Sequence, residues 1–164
     1  MKKIKQALIS VSDKKKLLKV LKVLNKFKIK IISSGGTCKY IQKLGFKCHE
    51  ISKFTRTPEI FEGRVKTLHP KIYAGILYKR GKKSHLKQMK LNKYENIDLV
   101  IVNFYPFEET LKKTLNHKII VENIDIGGPT LVRAAAKNFN DVTVITDVDQ
   151  YDHLVQELIK NNGS

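Results

Sequence analysis

The run Ser33-Ser34-Gly35-Gly36-Thr37 follows an apolar stretch and leads into a polar one. Paired glycines let backbone N–H groups turn inward, and the hydroxyls of Ser34 and Thr37 add donors, so the run suits a phosphate at a helix N-terminus. The spacing is neither GxxxxGK[ST] nor GxGxxG. A tight strand-to-helix turn that needs glycine is the plainer use of the same residues. Ser12 and Lys14, just after an earlier apolar run, would bring a hydroxyl and an ammonium to the same rim. A second glycine-rich helix entry is NIDIGGPT, residues 123–130, where Asp125 either works on a ligand or accepts local backbone N–H bonds. On the helix that follows, Arg133 and Lys137 sit one turn apart on one face. Tyr105, before Pro106, is a site phenol or a packed aromatic. GRVKTLHP, residues 63–70, places Arg64, Lys66 and Thr67 side by side. Lysine is the default polar residue of this chain, so Lys66 stands out only by that company.

Other chemistries lack their patterns. The histidines, His49, His69, His85, His117 and His153, show no HExxH or other paired ligand spacing, so no zinc site is expected. Cys48-His49-Glu50 lacks the PCxxC that a zinc deaminase requires. There is no GxSxG elbow. His69, between Leu68 and Pro70, reads as structural rather than as a general base.

These residues need elements to hold them. Ala7 to Val11 is a short apolar run with β-branched residues, ended by Ser12 or Asp13 as a helix cap. Leu17, Leu18, Leu21 and Leu24 then recur at helical spacing. Ile29 to Ser33 reads as a second strand, the glycine turn as the start of a helix ending near Gly45, and Cys48 to Ile51 as a weak third strand. Asp98 to Phe104 is the strongest strand, continuously apolar as in a strand buried on both faces. Helices are expected from Pro106, through PTLVRAAAKNF with Pro129 in its first turn, and over 149–160, with a last strand over 141–146. Tyr78 to Asn96, basic and weakly patterned, reads as a surface excursion. The alternation predicts an α/β domain spanning 1–164, with a mostly parallel sheet of about five strands and helices on both faces. In such a sheet ligands bind beyond the carboxyl ends of the strands, which puts Ser10–Lys14, the glycine turn and Asn103–Tyr105 on one rim.

With 164 residues the chain suits one domain, with room for about as many helices as strands. Its 32 Lys and Arg against 15 Asp and Glu give a net charge of +17. Only Arg56, Arg64, Arg80 and Arg133 are arginine, and the lysines are scattered, with those from Lys14 to Lys30 forming a solvated helix face. Nucleic-acid recognition favours the arginine fork, so nucleic acid is not the expected partner and an anionic small molecule suits the charge. No apolar run is long enough to span a bilayer and the N-terminus does not read as a signal peptide. Cys38 and Cys48 read as free thiols of a reducing cytoplasm.

GRVKTLHP, Tyr105-Pro106-Phe107, IDIGGPT and VRAAAKN, with ISVSDK and SSGGT, together resemble the IMP cyclohydrolase domain of bifunctional purine-biosynthesis proteins. The likeness runs from about Ala7 to Tyr151. It implies a single methylglyoxal-synthase-like domain and the conversion of FAICAR (5-formamido-1-(5-phosphoribosyl)imidazole-4-carboxamide) to IMP with loss of water. It also implies a cytoplasmic homodimer with neither cofactor nor metal. Substrate contacts would fall on Ser12, Asp13, Lys14, Ser34, Gly35, Gly36, Thr37, Arg64, Val65, Lys66, Thr67, Val102, Asn103, Asp125 and Ile126. Lys66, Tyr105, Asp125 and Lys137 would be the catalytic set. Two departures stand out: Lys15-Lys16 replace the family's usual Thr-Gly pair, and the transformylase domain that normally follows is absent from this chain. The chain is thus expected to be an excised domain or a standalone cyclohydrolase. A nonenzymatic module binding a phosphorylated metabolite, or methylglyoxal synthase, are the alternatives on the same fold; RVKTLHP speaks against the latter.

The implied chemistry gives each residue a task. Ring closure joins a carboxamide nitrogen to a formyl carbon, and Asp125 is the expected acceptor of the nitrogen's proton. Lys66 would stabilise the oxygen as it gains charge. Lys137 or Tyr105 would protonate the departing hydroxyl. Lys137 lies about 13 Å along a helix that starts near Gly128, so it either shares one ligand with Asp125 or lies across a subunit boundary.

Overall fold

The computed structural model describes residues 2–164. Five strands form one all-parallel sheet in the order β3-β2-β1-β4-β5: β1 Gln6–Val11, β2 Lys30–Ser33, β3 His49–Glu50, β4 Leu99–Asn103 and β5 Thr143–Ile145. Alternate residues of the central strands feed two separate cores. Ala7, Ile9, Val11, Leu99 and Ile101 pack with Leu17, Val20, Leu21 and Leu24 of α1 (Leu17–Lys26) and with Tyr151, Leu154 and Leu158 of the last helix. Leu8, Val100 and Val102 face the other way, onto Ile51, Ile72, Ile76, Leu131, Ala134 and Ala135. Burial on both faces is why β4 reads as an unbroken apolar run.

The remaining helices, in order, are α2 Gly35–Lys43, α3 Ile51–Thr55, α4 Pro70–Leu77, α5 Lys83–Leu91, α6 Phe107–Lys113, α7 His117–Glu122, α8 Gly127–Lys137 and α9 Tyr151–Lys160. The helices outnumber the strands, contrary to the expectation of equal numbers. The Tyr78–Asn96 excursion contains α5, which buries Met89 alone and so carries little apolar periodicity. The expected strand over 48–51 shrinks to two residues, because Ile51 already starts α3.

The start of α1 departs from expectation. Neither Ser12 nor Asp13 caps it. The residue before the helix is Lys16, in the left-handed conformation with φ 56°, and the Asp13 carboxylate instead accepts the N–H of Lys15 at 2.8 Å. The position is the one where the resembling family usually has glycine.

At the N-terminal edge of the sheet a buried ion pair closes the fold. Asp98 accepts from Arg80 Nη2 (3.1 Å), Asn96 Nδ2 (2.6 Å) and the backbone N–H of Lys5 (2.9 Å). Arg80 Nη2 also donates to the Ile97 carbonyl at 2.8 Å, and its guanidinium lies 4.7 Å from the centre of the Tyr78 ring.

Candidate active site

At the opposite, carboxyl-terminal edge of the sheet lies a cavity of about 510 Å³, beside the point between β1 and β4 where the strand order reverses. β1 delivers Ser10, Val11 and Ser12 to it, β4 delivers Asn103, and the turn after β2 delivers Ser34, Gly36 and Thr37. Asn103 ties two of these ends together: its Oδ1 accepts from the N–H groups of Ser12 (2.6 Å) and Asp13 (2.9 Å), and its Nδ2 donates to the Asp13 carbonyl (2.7 Å). The Tyr151 hydroxyl is buried beside Asn103 without a hydrogen-bond partner; burial pushes this phenol up to about 12, against a smaller downward pull from Asn103.

The glycine turn forms the first turn of α2 at the cavity rim, where the N–H groups of Thr37 and Cys38 turn back to the Ser34 carbonyl, while those of Gly35 and Gly36 have no partner among the described residues. A Cβ added at Gly36 would meet nothing within 4 Å, so the approach to those N–H groups is open. The Thr37 hydroxyl is spoken for: it donates to the Val11 carbonyl at 3.0 Å and joins α2 to β1.

The GRVKTLHP segment crosses to this turn. Lys66 Nζ lies 3.7 Å from where a Gly35 Cβ would be, and the Glu59 carboxylate approaches the same point to 4.0 Å. Thr67 is buried, and His69 is structural as expected: its Nδ1 caps α4 by accepting the Lys71 N–H at 3.1 Å. The cavity wall is closed by the start of α8, where two glycines permit a contact no other residue would. A Cβ at Gly127 would stand 2.6 Å from Thr67 Oγ1, and one at Gly128 would stand 2.7 Å from Asp125 Oδ2. IDIGG and RVKT therefore touch through glycine. Asp125 Oδ1 accepts the Gly128 N–H at 2.8 Å, which fixes the carboxylate at the helix start, while Oδ2 makes no hydrogen bond among the described residues.

The structure thus brings Ser12, Lys14, Ser34, Gly36, Thr37, Arg64, Lys66, Thr67, Asn103, Tyr105, Asp125 and Ile126 to one cavity. Gly35 sits beside it under Lys66. Asp13 is exposed and joins through its backbone, Val65 faces a small neighbouring hollow with Phe61, and Val102 is buried in the core below. Lys137 is not there. It is exposed in the last turn of α8, about 15 Å along the axis from Gly127 at 1.5 Å per residue. Ser10 and Val11 line the cavity with the rest of their rim segment, while sequence reasoning missed Glu62, Gly63, Val121, Glu122, Ile124, Gly127 and Gly128. The two α8 glycines adjoin the expected Asp125-Ile126 and were within reach of a pattern argument; Glu122 carries no local signal at all.

The family model described as MGS-like domain matches residues 16–130. The bifunctional purine biosynthesis protein PurH of Clostridioides difficile (strain 630) is 49% identical over 154 residues, covering 94% of this chain and 30% of that protein. PurH of Clostridium acetobutylicum is 48% identical over 157 residues, covering 96% and 32%. The chain spans about a third of the length of these curated relatives. The crystal structure of ForH superposes with a TM-score of 0.85 at 29% identity, covering 98% of this chain and 83% of that one.

Proposed function

The chain belongs to the MGS-like domain family, and from that membership we propose that it closes the purine ring, converting FAICAR to IMP with loss of water. The observation that carries the reading is the meeting of the Ser34–Thr37 turn, Lys66 and Asp125 around one cavity, in a chain whose relatives are purine biosynthesis proteins.

In this reading the α2 N-terminus, Lys14 and Arg64, which line one cavity, take the ribotide phosphate, as helix N-terminal N–H groups and neighbouring cations do for anions generally. The carboxamide nitrogen attacks the formyl carbon of the same molecule, so alignment of the two groups supplies much of the rate. Asp125 takes the nitrogen's proton on Oδ2, the oxygen left free by the Gly128 bond. Lys66 stabilises the charge that gathers on the former formyl oxygen. That oxygen gains two protons, the one collected by Asp125 and one passed through Tyr105, which lines the cavity. It leaves as water while the formamido nitrogen gives up its own proton and the ring C=N bond forms. Lys137, away from this cavity, acts only if a second copy of a cytoplasmic homodimer brings it to the neighbouring site.

The test is direct: purified protein is mixed with FAICAR and IMP formation is followed by ultraviolet absorbance. Turnover well above the uncatalysed rate is expected, and none in folded protein overturns the proposal. The placement of Lys137 favours one rival, a module that binds a phosphorylated metabolite without turning it over. IMP binding without turnover would select that rival.

A further inference from the structure

Residues 104–124 form a strap built of α6 and α7 whose two ends line the cavity, and not one of them is buried. The two helices pack chiefly on each other. Four strap residues, Tyr105, Val121, Glu122 and Ile124, line the cavity. Every hydrogen bond the strap makes is internal except one: among the described residues, the bond from Arg64 Nη2 to Glu122 Oε1 is its single polar tie to the rest of the domain. The tie is also electrostatically placed. Although the chain carries +17, the charged side chains lining the cavity are balanced, with Lys14, Arg64 and Lys66 facing Glu62, Glu122 and Asp125.

We propose that Glu122 is an internal competitor for the phosphate of the ligand: it holds Arg64 in the free protein and yields it when a phosphate enters. The inference rests on the nucleotide reading above and adds to it how the site is kept closed when empty. A guanidinium presents a planar fork that fits phosphate oxygens as well as a carboxylate. A phosphate drawn to Arg64 would also lie beside the Glu122 charge, so the two anions exclude each other. Phosphate binding therefore frees the strap, and an unoccupied site fastens it. Arg64 and Glu122 are 63% and 56% exposed, so the pair is weak and an entering dianion can displace it. Because a ligand must first find Arg64 released, the pair lowers apparent affinity by the released fraction.

The test uses Glu122→Gln, which keeps the size and removes the charge. Calorimetry with IMP and with inosine, which lacks the phosphate, is paired with hydrogen exchange of residues 107–122 in the ligand-free protein. The variant is expected to bind IMP about two- to fivefold more tightly, to bind inosine as the wild type does, and to exchange its strap amides faster. Unchanged or weaker IMP binding overturns the proposal. An equal gain for inosine also overturns it, since the effect would then be simple opening rather than competition. If the wild type neither binds IMP nor turns over FAICAR, the purine reading falls and inorganic phosphate becomes the probe. Phosphate should then speed strap exchange in the wild type but not in Glu122→Gln, and no acceleration would overturn the competition.

Discussion

Two arginine–carboxylate pairs sit at opposite edges of the same sheet and behave as different devices. Arg80 and Asp98, 12% and 9% exposed, lie at the amino-terminal edge, where the carboxylate also binds Asn96 and the Lys5 backbone. Arg64 and Glu122 lie at the carboxyl-terminal edge, mostly exposed, with no second partner for the Glu122 carboxylate among the described residues. A buried pair wrapped in hydrogen bonds cannot lose one member without stranding the other in a medium of low polarity. An exposed pair returns both members to water. The domain therefore places its unforgiving electrostatics away from the cavity and its exchangeable electrostatics beside it.

Truncating one carboxylate at each edge is the hardest test of that contrast. Asp98→Ala should cost about 3–5 kcal/mol in urea unfolding, because Arg80 and three backbone or amide donors, on Lys5, Gln6 and Asn96, lose their acceptor together. Glu122→Ala should stay within about 0.5 kcal/mol of the parent. Equal losses at the two sites would erase the distinction.

The next largest effect separates function from stability within the cavity edge itself. Lys66 is half-buried between Gly35 and Gly63 and makes no ion pair among the described residues, so the fold does not depend on it. Lys66→Ala should lower FAICAR turnover by about 10²–10³-fold, the usual loss when one oxyanion donor is removed, with the thermal midpoint unmoved. A full rate would remove Lys66 from the mechanism. A large drop in midpoint would make it a structural residue instead.

The same contrast explains what was legible in the sequence. β4 declared itself through continuous apolar residues, and the two glycine-rich helix entries through residues whose conformational or steric demands are local. α5 and α7 bury one residue and none, so no apolar period marks them. The Arg64–Glu122 tie joins residues 58 apart in the chain, and nothing in either local sequence points to the other. Lys137 shows the limit from the other side. Its motif was plain, but a helix carries direction as well as pattern, and α8 runs away from the cavity that its first residues line.

The smallest expected effect concerns the loop that carries Lys14 to the cavity. Lys16 holds φ 56° at the entry to α1, a conformation that disfavours a side chain by about 1–2 kcal/mol. Its ammonium reaches Asp149 at 3.3 Å and Asp152 at 3.9 Å, both exposed and contributing little. Glycine would remove the conformational cost, though it adds flexibility to the unfolded chain. Lys16→Gly should therefore stabilise the domain by about 0.5–1 kcal/mol in urea unfolding. Lys16→Ala removes the same ion pairs while keeping a Cβ, so it should gain nothing. If both variants lose stability alike, the ion pairs hold this loop and the exposed edge is less forgiving than the comparison with Arg64 and Glu122 implies. If only glycine gains, the backbone sets the loop, and charge at this edge is left free for the ligand.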